Sequence, residues 1–144
     1  MAFGRIEYGE RCLAFEMETI YSKCGGAPVM ARLVFDFYDR VLASERLAPY
    51  FVRVDMTRLV DHQAKFIASV MGGPPSFTDT ELRDAHAHLT ISDAVFDEMT
   101  DLLEATLREF GMDSADIGQV MGTIRNKRRL IVGDVDEETH CFVI

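Results

Sequence analysis

An all-α fold is predicted by three features of this 144-residue chain. Apolar residues recur at three- and four-residue spacing along most of it, glycine and proline clusters interrupt that recurrence, and no stretch alternates with period two between hairpin turns. The length fits one domain. A composition of 48% hydrophobic and 27% charged residues is that of a folded globule.

Each element follows from local signals. Leu13, Met17, Ile20, Tyr21 and Cys24 mark a first short helix, stopped by Gly25-Gly26. Pro28 suits the first turn of a second helix, whose core face carries Met30, Leu33, Val34, Phe37, Tyr38 and Val41. A turn through Pro49, Tyr50 and Phe51 leads to Asp55, a good N-cap for a helix from Met56 to Val70 that Gly72-Gly73-Pro74-Pro75 terminates. Residues 76–80 are expected to be loop, with a histidine-bearing helix beginning near Glu81. Ser92 or Asp93 caps the next helix, striped by Val95, Phe96, Met99, Leu102, Leu103, Thr106, Leu107 and Phe110 and closed by Gly111. Asp113 opens a last helix with Ile117, Val120, Met121, Ile124 and Ile131. The basic run Arg125-Asn126-Lys127-Arg128-Arg129 reads as a solvated face near its end, where cations suit the helix dipole. The domain is therefore expected over 20–132, with an extension at 1–19 and a flexible acidic tail at 133–144.

Three polar side chains interrupt these apolar stripes. His86 shares a face with Leu82, Ala85 and Leu89; Tyr38 sits among Val34, Phe37 and Val41; Gln63 lies among Leu59, Val60, Phe66 and Ile67. Burying an unpartnered polar group costs about 1–3 kcal/mol, so a shared client explains all three more economically than separate accidents.

Charge and cysteine content exclude several classes. A net charge of −9 argues against nucleic-acid binding, which needs clustered cations to displace counterions. Three cysteines without a Cys-x-x-Cys pairing offer neither a zinc knuckle nor a c-type haem attachment. The odd cysteine count and the lack of an apolar leader segment suit a cytoplasmic protein, and no run approaches a membrane span. A monomer is expected. The terminal Cys141-Phe142-Val143-Ile144 fits a prenylation pattern only loosely, since no polybasic segment precedes it.

A set of ordered phrases is more specific. Tyr21-Ser22-Lys23-Cys24-Gly25-Gly26, Phe37-Tyr38-Asp39-Arg40-Val41, Pro49-Tyr50-Phe51, Asp55-Met56, His62-Gln63-Ala64-Lys65-Phe66, Gly72-Gly73-Pro74, Ala85-His86 and Phe96 after Ile91 follow one another with short connections. Together they make residues 20–132 resemble the group I truncated haemoglobins. The resemblance implies an all-α truncated globin fold, a two-on-two helical sandwich around haem b (iron protoporphyrin IX), with His86 as proximal iron ligand. It implies Phe51 wedged against the porphyrin, Tyr38 and Gln63 directed into the distal pocket, and Leu59 where larger globins usually place a distal histidine. Phe37, Ile91, Phe96, Met99, Leu103, Leu107 and Ile124 fall at positions lining the haem cavity or an apolar gas tunnel, and Phe66 matches a tunnel-gating aromatic. Two departures stand out. Asp79 occupies a position where the family often has glycine, and the last helix lacks the histidine by which some cyanobacterial relatives tether haem covalently. His140 in the tail is a poor substitute, so exchangeable haem is expected.

An imidazole serves as axial base when its other ring nitrogen is held by an acceptor. Tyr38 and Gln63 would donate to dioxygen, which carries partial superoxide character on ferrous iron. His62 has two readings, as a second axial ligand in gas-free protein or as an exposed or propionate-facing side chain. Arg58 and Lys65 are read as solvated surface rather than propionate partners, and His88 as exposed. The leading expectation is binding of dioxygen, nitric oxide and carbon monoxide, with dioxygenation of nitric oxide to nitrate. No Gly-x-Gly-x-x-Gly fingerprint is present, so electrons would come from a separate reductase. The alternative is a non-enzymatic redox or gas sensor with bis-histidine, six-coordinate iron.

Overall fold

The computed structural model describes residues 19–87, Leu89 and 91–132. Most of the extension, the acidic tail and His88 lie outside the described residues. Helix α1, Ile20–Cys24, starts where the Thr19 side chain accepts from Ser22 N at 3.0 Å and stops at Gly25, whose φ of 111° only glycine adopts readily. Helix α2, Ala27–Ala43, carries Pro28 in its first turn. A 3-10 turn at Ala48–Phe51 precedes α3, Met56–Val70, which Asp55 caps by accepting from Arg58 N at 3.3 Å. Then come α4 (Asp79–His86), α5 (Asp93–Glu109, capped by Ser92), α6 (Ser114–Arg125, capped by Asp113) and α7 (Arg128–Ile131). No strand occurs among the described residues.

Three boundaries differ from the sequence expectation. The first helix, expected from Leu13, begins at Ile20 because the extended Thr19 caps it; Leu13 and Met17 lie outside the described residues. Helix α4 starts at Asp79 rather than Glu81 because Thr78 and Glu81 form a reciprocal cap. Glu81 N donates to Thr78 Oγ1 at 3.1 Å, and Thr78 N donates to Glu81 Oε1 at 3.3 Å. The expected last helix divides after Arg125, and its basic run is largely committed to other helices. Arg125 pairs with Asp101 and Glu104, Lys127 with Asp79, and Arg128 with Asp93 and Asp97. These five acidic partners, Asp79 on α4 and Asp93, Asp97, Asp101 and Glu104 on α5, convert a solvated face into a clasp.

Helix α2 packs on both α3 and α5, α5 packs on α6, and α6 reaches α3. The pairs α2/α3 and α5/α6 thus face one another as a two-on-two sandwich. Met30, Leu33, Val34 and Val41 of α2, Leu107 of α5, and Val120 and Met121 of α6 are almost wholly buried between the pairs. At the far end of α3, Tyr21 N donates to Met71 O and Gly73 N to Ala68 O, docking α1 onto the turn. A Cβ at Gly73 would meet Tyr21 Cγ at 2.8 Å and the Ala68 carbonyl oxygen at 2.9 Å. Gly73→Ala is therefore expected to cost about 1–3 kcal/mol of stability, seen as a lowered urea midpoint; an unchanged midpoint would mean the turn has room to shift.

Candidate functional site

Between the helix pairs lies a cavity of about 540 Å³, within the range of sites that enclose a cofactor. Its walls are mostly aromatic and aliphatic, and the sequence-predicted positions converge on it. Phe37 and Tyr38 come from α2, Phe51 from the 3-10 turn, Leu59, His62, Gln63 and Phe66 from α3, and His86 from the end of α4. Ile91, Phe96, Met99, Leu103 and Ile124 also line it. Leu107 does not line it: one helical turn beyond Leu103, it lies about 6 Å further along the α5 axis and is buried in the core instead.

The polar groups differ in depth. Tyr38 is 5% exposed, whereas Gln63 and His86 are half-buried and His62 is exposed. Periodicity places His86 and Gln63 inside with their apolar neighbours. The structure leaves them more open because the cavity, rather than packed protein, stands in front of them. Ala85, on the same face as His86, is exposed for the same reason.

Geometry prepares each group for a ligand. His86 Nδ1 lies 2.8 Å from Leu82 O, and a carbonyl can only accept. That bond places the ring proton on Nδ1 and the lone pair on Nε2, the tautomer an axial ligand needs. Tyr38 is held between edge-on contacts to Phe37, at 4.9 Å between centroids, and to Phe51 at 5.6 Å. Burial pushes its phenol well above the usual range, so it stays a neutral donor across ordinary pH. Among the described residues, neither Tyr38 nor Gln63 has a side-chain hydrogen bond within the protein. Both are left to whatever occupies the cavity.

This donor set fits haem. A flat, largely apolar group is accommodated by the slot, iron by one oriented imidazole, and a polar ligand on iron by a phenol and an amide. Among the described residues no three His, Cys, Asp or Glu side chains gather to hold a bare metal ion. Arg58 is exposed, and Lys65 pairs with Asp61 at 3.0 Å.

Sequence reasoning missed some lining residues. The sequence pattern places Phe77 only in a loop, although an aromatic between prolines and a helix cap is itself a signal. Thr100, 4% exposed, lines the cavity one position beyond the α5 stripe, its hydroxyl donating to Asp97 O.

Comparison with known proteins agrees with the geometry. Residues 19–132 match the family model for bacterial-like globins. A group 1 truncated haemoglobin from Tetrahymena pyriformis is 33% identical over 116 residues, covering 81% of this chain and 96% of the relative. The crystal structure of truncated haemoglobin from that organism in its Fe(III) form superposes with a TM-score of 0.74 at 32% identity, covering 81% of this chain and all of that one. A Synechococcus 2/2 haemoglobin, solved in the cyanomet state with covalently attached haem, gives a TM-score of 0.70 at 30% identity, covering 79% and 98% of the two chains.

Proposed function

The chain belongs to the bacterial-like globin family, among the group 1 truncated haemoglobins, and from that premise we propose that it holds haem b noncovalently through His86 and binds dioxygen and nitric oxide. Haem iron, when bound, supplies reversible coordination of these gases and of carbon monoxide, and an exchangeable electron. The chain supplies the rest. Leu82 O orients His86, Phe51 and Phe96 line the walls that would hold a flat ligand, and apolar side chains would exclude water. Tyr38 and Gln63 would donate hydrogen bonds to a polar ligand held in the cavity. The observation that carries this reading is the convergence of an oriented imidazole and two side-chain donors on a single apolar cavity.

The turnover proposed is conversion of nitric oxide and dioxygen to nitrate with uptake of one electron. A separate reductase returns that electron. A cytoplasmic site and a monomeric state belong to the same proposal. Among the described residues no helix is long and apolar enough to cross a membrane, and Cys24 is a free thiol. Titrating haem into the purified chain tests the core of the reading. A one-to-one Soret band is expected, and its failure to form would refute haem binding.

The bis-histidine reading also has support, because His62 lines the same cavity as His86. His62 is proposed as a reversible second axial ligand. Sharp, split visible bands are then expected in the ferrous gas-free spectrum, and His62→Leu should replace them with one broad band. An unchanged spectrum in the variant would remove His62 from the iron.

A further inference from the structure

At the mouth of the cavity the His62 and Phe77 rings meet, with centroids 5.8 Å apart and planes tilted by 53°. Both residues line the cavity, yet Phe77 remains 38% exposed. Its backbone is constrained from both sides. Pro74-Pro75 precede it, and Thr78 is fixed by the reciprocal cap with Glu81. The backbone under the Phe77 ring is thus restricted on both sides, and the ring faces the His62 imidazole on α3.

His62 has one side chain and two claims on it. Against Phe77 it lies at the rim; on iron it would occupy the position an incoming gas needs. We propose that Phe77 is the outward seat of His62, a positioning residue that holds the imidazole off the iron and so sets how often the cavity is open to a diatomic ligand. This rests on the reading of His62 as a reversible axial ligand. A tilted aromatic contact favours one rotamer by about two- to tenfold. Where the closed form dominates, apparent gas affinity scales with the open fraction and moves by the same factor.

Haem-loaded wild type, Phe77→Ala, Phe77→Tyr, His62→Leu and the Phe77→Ala/His62→Leu double variant test this. Phe77→Ala is expected to raise the six-coordinate share of the ferrous spectrum and to weaken apparent carbon monoxide affinity about two- to tenfold. Phe77→Tyr, which keeps the ring, should restore wild-type values, and Phe77→Ala should have no effect once His62 is leucine. A gain in affinity on Phe77→Ala would instead make Phe77 a simple plug and overturn the proposal. So would an unchanged apparent carbon monoxide affinity in Phe77→Ala when His62→Leu does alter it. If His62→Leu itself changes nothing, the axial-ligand reading fails and takes this proposal with it. A separate readout needs no haem: in the apoprotein, proton NMR should show the His62 ring resonance displaced by the Phe77 ring current and relaxing in Phe77→Ala. No displacement would show that the contact itself is absent.

Discussion

His86→Gly is expected to lower haem affinity by about a hundredfold or more, since removing even a second partner of a metal-bound histidine costs about ten- to a hundredfold. The imidazole is an oriented nitrogen donor on the cavity wall, and its tautomer is set by a backbone carbonyl that the substitution leaves in place. The helix should survive, because Leu82 carries the buried contact of α4 and the cap at Thr78 is untouched. Far-ultraviolet circular dichroism should therefore match wild type while the Soret band fails to form at stoichiometric haem. Free imidazole, filling the space left at position 86, should bring the band back. Retention of full colour without added imidazole would place the axial ligand elsewhere and dismantle the functional reading.

The second large effect concerns gas release. Tyr38→Phe with Gln63→Leu removes both donors while nearly conserving volume, so the cavity keeps its shape. Each hydrogen bond is worth about 1–3 kcal/mol in a water-poor site. Dioxygen dissociation from the double variant should accelerate about ten- to a few thousandfold. Carbon monoxide, a weaker acceptor, should respond much less. Stopped-flow release of both gases from the single and double variants gives the coupling between the donors. Equal acceleration for the two gases would mean the substitutions act by loosening the cavity. The phenol remains neutral because burial raises its pKa, so this dioxygen effect should persist from mildly acidic to mildly alkaline pH.

Local chemistry and side-chain period carried much of this molecule's architecture. Asp55, Ser92 and Asp113 cap helices because their side-chain oxygens accept backbone N–H groups wherever the chain turns into a helix. The face shared by Tyr38 with Phe37, and that shared by Gln63 with Phe66, follow from 3.6 residues per turn. Those rules act over a few residues, so the sequence alone determined the helices and which side chains could meet a cofactor. It did not determine depth or partner. Tertiary packing decided that His86 and Gln63 stand at a cavity wall rather than in solid core, that Leu107 lies beyond the cavity, and that His62 rests on Phe77 fifteen residues away. It also turned the basic run into a clasp, since Arg128 meets Asp93 and Asp97 only after α5 and α7 are brought together. Period fixes the direction a side chain leaves its helix; what it meets depends on where the other helices come to rest.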